Sequence, residues 1–450
     1  MKIRFLPDEP IITRIQDRLG FSDFVELLKE SIYNTETPFV YGILGDWGVG
    51  KTSILKLLQS QITDDLNNNR SSFVPVWFNA WKYENEANLI YPLLHAIKRD
   101  YSARIGTLDT AKEFWKKFLD VVATSTMVIT DVGLRVATKQ LTGEAIKLNE
   151  VNEQLKEVRL HQDNLEQALS SWADEVTKLD QAFEELLDSY ARDLATLSTP
   201  KKDESNFKFV IIIDDLDRCL PETAISILES IKNFLAVQNC IFVFGLNSDV
   251  IYQGIRLKYK GAEVNGREYL EKILNYSFYV PDPELTFISS FATGQLEQLV
   301  LDEKFKREYR HRFQEFGNIL EECKFNNPRK IKRILNRYLF FIGKNHDNFE
   351  NYHNSNIVRF IILAEYYPRL FQLYLKDEQT IRVITKDFEK LGEASFDIKR
   401  FEEKYGVQIL SAYPRLSKMA KLFKIDMDTT MGKLNPVEQA QDVFELAGLA

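Results

Sequence analysis

Residues 42–53 read GILGDWGVGKTS, and this short glycine-rich stretch restricts the fold more than any other part of the chain. It follows the apolar, strand-like run PFVYGIL and precedes SILKLLQSQI, whose apolar spacing is typical of a helix. Glycines there let backbone N–H groups converge on an anion at the helix N-terminus, where the helix dipole adds partial positive charge. Strand, turn and helix together predict a phosphate-binding loop of the form G-x-x-x-x-G-K-[ST].

The loop predicts a site for the phosphate chain of a nucleotide and for Mg²⁺. Lys51 is expected to bind the β- and γ-phosphates, and the hydroxyl of Thr52 is expected to ligate Mg²⁺. The residues predicted to contact the nucleotide here are Gly45, Asp46, Trp47, Gly48, Val49, Gly50, Lys51, Thr52 and Ser53.

A second acidic element is needed if the nucleotide is hydrolysed, and residues 207–219 provide it with the sequence FKFVIIIDDLDRC. An unbroken apolar run that ends in acids is typical of a buried strand in a parallel sheet. Asp214 is expected to lie at the magnesium ion and Asp215 to polarise the attacking water. Alternatively, these acids and Asp217 only cap the helix that follows, PETAISILESIKNFL.

A third buried strand, CIFVFGL, is followed by the polar residues NSDV. In NTPases that have an extra strand between the two motif strands, a polar residue at this point senses the γ-phosphate and helps to hold the water. Asn247 is the predicted residue, and helix capping by Ser248 or Asp249 is the competing interpretation.

Two further runs, FVPVWF and YSFYV, complete five strands that alternate with helical patterns, and the chain beyond Pro283 is helical. This order predicts an α/β fold with a doubly wound, parallel, five-stranded P-loop NTPase sheet, a long helical insertion and a C-terminal α-helical domain. The predicted ranges are 1–118 and 201–284 for the two parts of the NTPase core, 119–200 for the insertion and 285–450 for the helical domain.

Composition excludes several classes of protein. A content of 44% hydrophobic and 28% charged residues is ordinary for a globular chain, and a net charge of −8 gives no overall attraction for nucleic acid or anionic membranes. Three scattered cysteines and an N-terminus without an apolar core predict a cytoplasmic location. The most apolar segment, from Phe118, contains Asp120, Asp131 and Arg135, so no direct membrane span is expected.

Five short sequence segments occur in an order that resembles the KAP family of P-loop NTPases. They are GDWGVGKTS, VWFNAWKYEN, IIIDDLDRC, YLEKILNYSF and NPRKIKRILNRY. The resemblance implies ATP binding and hydrolysis with Mg²⁺. It also implies a regulatory or defence role, since some members of the family are tied to membranes and some bacterial members to phage exclusion. KAP proteins typically carry transmembrane helices between the phosphate loop and the acidic strand. This chain has polar helix there, so it resembles a bacterial-type, soluble variant.

Within that interval, apolar residues from 148 to 190 alternate by three and four, which predicts a heptad seam. A helix of this length would reach about 60 Å, so an arm for self-association or for a protein partner is expected. The alternative is a pair of antiparallel helices that bend at Ser170 and Ser171 and fold back on the NTPase core.

Three arginines are candidates for contact with the phosphates. Arg329 or Arg333, on the helix after Pro328, would reach them as part of a closing lid. Alternatively, this helix presents a solvated basic face, or it contacts the backbone of DNA or RNA. Arg218 would supply a transition-state cation in its own chain or in a neighbour, unless it only forms a salt bridge with Glu222 or Asp217.

Trp77 and Trp81 leave the second strand near the expected nucleotide edge, either as core or as contact residues. Asn79 is the polar group between them that would link the phosphate state to the insertion. The preferred function is an ATP-driven conformational switch in a regulatory or anti-phage defence assembly, slow without its partner. The alternatives are a nucleic-acid-dependent ATPase that uses the basic helix and a small-molecule kinase.

Overall fold

The computed structural model describes residues 2–84, 90–105, 114, 116–118, 162–198, 201–232, 237–260, 264–389, 403–404, 422–430 and 433–446. The chain divides into two compact units. The first, called the sheet unit, comprises Phe24–Trp47 and Lys51–Val280. The second, called the helical unit, comprises Met1–Asp23, Gly48–Gly50 and Pro281–Ala450.

The sheet unit is built on a five-stranded sheet in which every pairing is parallel. Its strands are β1 (Phe39–Leu44), β2 (Phe73–Asn79), β3 (Lys208–Asp214), β4 (Cys240–Leu246) and β5 (Tyr276–Tyr279), in the order β2-β3-β4-β1-β5. The predicted parallel α/β fold is therefore confirmed. The extra strand β4 lies between β1, which leads into the phosphate loop, and β3, which ends in the acids.

The central strands are buried along nearly their whole length, which explains their continuous apolar sequences. The described helices that accompany the sheet are α1 (Ser22–Tyr33), α2 (Lys51–Asn67), α3 (Ile90–Ile105), α4 (Gln162–Leu197), α5 (Pro221–Lys232), α6 (Ser248–Lys258) and α7 (Gly266–Glu271). Short 3-10 helices lie at Trp81–Tyr83, Glu204–Asn206 and Leu216–Arg218.

Helix α4 contains the second part of the predicted heptad seam. It runs without interruption through Ser170 and Ser171, so the bend proposed there is not present. Near its C-terminal end, Phe183 and Tyr190 are buried in the core of the sheet unit, and the ring centroid of Tyr190 lies 5.4 Å from that of Phe209 on β3. The last part of the seam therefore packs on the chain's own sheet. Residues 148–161 of the predicted seam lie outside the described residues, and an arm for a partner stays a prediction.

The helical unit contains the rest of the described helices. They are α8 (Leu285–Leu299), α9 (Glu303–Glu322), α10 (Pro328–Lys344), α11 (Asn354–Tyr366), α12 (Pro368–Tyr374), α13 (Glu378–Glu389) and α14 (Pro436–Leu446), with 3-10 helices at Arg14–Gln16 and His346–Asn351. Helix α10 begins where Asn327 caps it and Pro328 occupies its first turn. The buried Tyr338 on α10 donates a hydrogen bond to Asn354 on α11 (2.5 Å).

The N-terminal segment is part of the helical unit, where Leu6 and Asn336 exchange backbone-to-side-chain hydrogen bonds. The predicted range 1–118 for the first part of the NTPase core differs from this division, because residues 1–23 cluster with the helices. The predicted boundary between 118 and 119 and that between 200 and 201 border residues outside the described set. Among the residues that the structure describes, no helix has the length and apolar character needed to cross a bilayer.

Candidate nucleotide site

The glycine-rich stretch forms a tight loop between β1 and α2. Gly48 has φ +83° and Gly50 has φ +113°, backbone angles that residues with a Cβ atom rarely adopt. The loop begins where the N–H of Gly45 donates to the carbonyl of Leu246 at the end of β4 (3.1 Å). The side chains of Asp46 and Trp47 are exposed. The glycines therefore serve the backbone shape that the sequence motif predicts.

Lys51, the first residue of α2, is almost completely buried and uses its ammonium group within the chain. Nζ donates to the carbonyl oxygens of Gly45 (2.8 Å) and Asp46 (3.1 Å). It also lies 3.0 Å from Oδ2 of Asp217, with which it forms an ion pair. The sequence suggested Asp217 as a helix cap or as a salt-bridge partner of Arg218, so its pairing with Lys51 was missed. The sequence signal for this pairing was the third acid of DDLD. A single 3-10 turn places this acid at the edge of the sheet.

Asp214, the last residue of β3, is 2% exposed. It accepts a hydrogen bond from the hydroxyl of Thr52, while its Oδ2 has no hydrogen-bond partner. Burial, followed by the charge of Asp215, raises the pKa of Asp214 to about 6. Gly245 leaves room beside this carboxylate, because a Cβ there would lie 3.0 Å from Oδ1.

The pair of Thr52 and Asp214 fits the protein's share of a magnesium site. A buried carboxylate oxygen without a partner needs a cation or a donor, and hard oxygen ligands suit Mg²⁺. Among the described residues, no group of three or more His, Cys, Asp or Glu side chains is placed to hold a metal ion by itself. Binding of Mg²⁺ at this edge would therefore depend on phosphate oxygens and water.

Both carboxylate oxygens of Asp215 are engaged. Its Oδ2 accepts from Nδ2 of Asn79 (2.7 Å), and its Oδ1 pairs with Nε of Arg218 (2.7 Å). Its backbone has φ +61°, a left-handed conformation that is uncommon outside glycine. Asn79 is in reach because β2 and β3 are neighbours and Asn79 lies opposite Asp214 in their register. Arg218 thus pairs with Asp215, whereas the sequence had suggested Glu222 or Asp217 as its partner.

The two tryptophans near Asn79 have different surroundings. Trp77, on β2, lies under Nζ of Lys56, which is 3.2 Å from its ring centroid, and burial lowers the pKa of this lysine to about 8. Trp81 is 48% exposed, and the guanidinium of Arg218 lies 5.3 Å from its ring centroid. Trp77 therefore packs beside α2, and Trp81 helps to position Arg218.

Asn247 follows β4 at the same edge of the sheet and caps α6. Its Oδ1 accepts from the backbone N–H groups of Asp249 (3.0 Å) and Val250 (3.5 Å). The competing interpretation placed the cap at Ser248 or Asp249, but Asn247 itself provides it. The cap engages Oδ1, so a contact of Nδ2 with the γ-phosphate or a water stays a prediction.

Arg329 and Arg333 have separate partners within the helical unit. Nε of Arg329 donates to Asp8 (2.6 Å), and its backbone N–H donates to the carbonyl of Gly48 (3.3 Å). Arg333 is largely exposed and lies 3.6 Å from Glu365 on α11. The structure thus places Arg329 beside a glycine of the loop and Arg333 with an acid of another helix. Their predicted phosphate contacts remain predictions.

A parallel α/β sheet that carries a glycine-rich phosphate loop after β1 and adjacent acids at the end of β3 defines the class of P-loop NTPases. Residues 21–341 match the model of the KAP family P-loop domain. The chain belongs to the KAP family. The family membership and the loop support nucleotide binding.

Two relatives illustrate the range of similar proteins. An uncharacterized protein of Methanocaldococcus jannaschii is 26% identical over 183 residues, which cover 37% of this chain and 87% of that protein. The phage T7 exclusion protein of Escherichia coli K12 is 23% identical over 280 residues, or 60% of this chain. This chain spans only about a third of that protein's length, namely 34%.

Two solved structures align with nearly the whole length of this chain. The ORC2 protein of Aeropyrum pernix, in ADPNP and ADP complexes, has 12% identity and a TM-score of 0.39, with 98% of this chain and 97% of that chain covered. The ORC1 protein of the same organism, in complex with DNA, has 12% identity and a TM-score of 0.33, with coverage of 98% and 86%. At these TM-scores the likenesses support no inference about function.

Proposed function

We propose that this chain binds ATP with Mg²⁺, hydrolyses it, and acts as a conformational switch in a regulatory or anti-phage defence assembly. The observation that carries the proposal is the buried carboxylate of Asp214. It accepts from Thr52 at the start of α2 and keeps one oxygen without a partner. Such an oxygen, on a carboxylate that binds the residue after Lys51, suits a bound cation that neutralises phosphate charge.

Each residue of the site has a role in this reaction. The loop N–H groups and Lys51 would bind the phosphates, and Thr52 with Asp214 would hold Mg²⁺, whose charge stabilises the negative charge of the phosphates. Asp215 would orient the attacking water and accept its proton. Asn247 would contact the γ-phosphate or this water through its free amide nitrogen.

Slow basal turnover is supported by the contacts of Asp215. Because Asn79 and Arg218 occupy its two oxygens, this carboxylate has to give up at least one contact before it can accept a proton from water. A partner that shifts Trp81 and with it Arg218 would release one oxygen. Arg218 would then be available to stabilise the transition state.

Contact of Arg329 or Arg333 with the phosphates, as part of a closing lid, remains part of the proposal. The nucleic-acid-dependent alternative has less support. Three arginines of α10 that could contact a nucleic acid, Arg329, Arg333 and Arg337, are paired with acids.

The defence role is supported by the similarity to the phage T7 exclusion protein, of whose length the match covers 34%. A cytoplasmic location is supported by the cysteines, since Cys219, Cys240 and Cys323 are buried thiols rather than disulfides. The effector that responds to the nucleotide state would be the partner that the switch binds.

Replacement of Lys51 by alanine tests the proposal. Affinity for ATP, measured by titration calorimetry, and phosphate release should both be lost, because the buried ammonium group is removed from the loop. Lys82→Ala is the matched control, since Lys82 is exposed and carries the same charge. Unchanged ATP affinity and turnover in Lys51→Ala would remove Lys51 from the site. Omission of Mg²⁺ should also stop phosphate release in the unmodified chain.

A further inference from the structure

The 3-10 turn Leu216–Arg218 carries two charged side chains that contact the two charged groups on which hydrolysis would depend. Asp217 pairs with Lys51, and Arg218 pairs with Asp215. Asp217 is 4% exposed, and its Oδ2 has no hydrogen-bond partner of favourable geometry. The ammonium of Lys51 is therefore the cation that compensates this buried carboxylate.

The ammonium group of Lys51 already has three oxygen atoms close to it. An ammonium group has three N–H donors. Nζ of Lys51 lies within 3.1 Å of three oxygen atoms, those of Gly45, Asp46 and Asp217. Two of these N–H groups donate to the carbonyl oxygens of Gly45 and Asp46, so a phosphate oxygen that binds the remaining N–H has to compete with the charge of Asp217. Of the three, only Asp217 carries a full negative charge, so it is the group that a phosphate would replace and also repel.

We propose that Asp217 is an internal competitor for Lys51. In the nucleotide-free chain its carboxylate takes the place of a phosphate oxygen, and a nucleoside di- or triphosphate binds by displacing it. Asp217 therefore lowers the affinity for nucleotides and does so selectively for those with a β-phosphate. The inference rests on the proposed function, because it requires that Lys51 binds phosphate.

Asp217→Asn tests the inference, since the amide keeps the shape and an acceptor oxygen but loses the charge. Dissociation constants for ATP, ADP and AMP are measured by titration calorimetry in the presence of EDTA, so that metal binding does not contribute. An opposite charge at this distance typically changes an ionic equilibrium by about tenfold or more. We expect ATP and ADP to bind about tenfold more tightly to the variant than to the unmodified chain. AMP, which has no phosphate for Lys51, should bind equally well to both.

Asp249→Asn is the matched control. Asp249 is exposed, follows β4 at the same edge of the sheet, and does not pair with Lys51, so its replacement changes the net charge alone. It should leave all three dissociation constants unchanged. Asp217→Ser removes the same charge with a smaller side chain and should give the same gain for ADP, which covers the case that the asparagine variant folds poorly.

Three results would overturn the inference. The first is equal ADP affinity in the folded Asp217 variants and the unmodified chain. The second is a gain in AMP affinity as large as the gain in ADP affinity. The third is a loss of ADP affinity, which would mean that Asp217 supports binding. In each of these cases the unmodified chain still binds ATP, and the proposed function stands. If neither the unmodified chain nor the variants bind ATP or ADP, with or without Mg²⁺, both the inference and the proposed function fail.

Discussion

Replacement of Asp214 by asparagine should make the nucleotide-free chain more stable while it weakens binding of nucleotide with Mg²⁺. The carboxylate is 2% exposed, one of its oxygens has no partner, and Asp215 follows it directly. Its ionised form is therefore unfavourable in the folded state, and it is kept for binding rather than for stability.

The size of the effect follows from the pKa of Asp214. Burial, and then the charge of Asp215, raises it from the ordinary value of 3.8 to about 6. One pKa unit corresponds to about 1.4 kcal/mol, so ionisation in the folded state costs about 3 kcal/mol. Because the pKa is raised on folding, the stabilising contribution is complete below pH 3.8 and is lost as the pH rises through about 6. Asparagine avoids this cost but must bury an amide, so we expect a gain of about 1–3 kcal/mol at pH 7.5.

Urea denaturation followed by tryptophan fluorescence measures this gain in the correct part of the chain. Among the described residues, the tryptophans Trp47, Trp77, Trp81 and Trp172 belong to the sheet unit, so their fluorescence reports the unfolding of that unit. Measurements at pH 7.5 and pH 5 separate charge from shape. By pH 5 the native carboxyl group is mostly protonated, and about half of the difference between variant and unmodified chain should disappear.

The reasoning is refuted if Asp214→Asn and the unmodified chain have the same free energy of unfolding at pH 7.5, or if their difference does not depend on pH. Asp249→Asn, the exposed acid at the same edge, should leave the stability nearly unchanged at both pH values. In the same variant set, only Asp214→Asn should lose the increase in ATP affinity that Mg²⁺ provides.

Three further substitutions are expected to have separate effects. Asp215→Asn should retain ATP but fail to turn it over, and phosphate release within about threefold of normal would exclude Asp215 as the group that orients the water. Asn79→Ala should raise basal phosphate release without changing ATP affinity, since one oxygen of Asp215 is freed; a lower rate would make Asn79 a positioning residue instead. Gly254→Ala should lower the free energy of unfolding by about 3 kcal/mol in urea denaturation, because the added Cβ would lie 2.2 Å from the carbonyl of Pro221. Gly294→Ala, with its nearest neighbour 4.0 Å away, should not.

The sheet could be predicted because its central strands are buried on both faces and therefore appear as continuous apolar runs, such as FKFVIIID before the acids. The phosphate loop could be predicted because Gly48 and Gly50 need backbone angles that few other residues adopt. In both cases a local physical requirement determines the residue type, so the sequence alone is informative.

The partners of the charged side chains could not be predicted in the same way. Asn79 reaches Asp215 only because β2 and β3 pair in one register, and Asp217 reaches Lys51 only because a 3-10 turn follows a left-handed residue. Neither condition has a sequence signal of its own. The heptad pattern has a related limit, because a spacing of three and four describes an apolar helix face but not its partner. For Phe183 that partner is the chain's own core.

The charges at the sheet edge explain why binding and stability oppose each other here. Lys51 and Arg218 compensate Asp217 and Asp215, while Oδ2 of Asp214 has no hydrogen-bond partner among the described residues. A bound phosphate would take Lys51 from Asp217 and leave that carboxylate in need of a new partner, whereas a metal ion would satisfy Asp214. Nucleotide alone should therefore bind weakly and gain affinity from Mg²⁺ by more than phosphate neutralisation provides. Because that excess depends on the ionised carboxylate, it should decline below about pH 6, and the decline should be absent in Asp214→Asn.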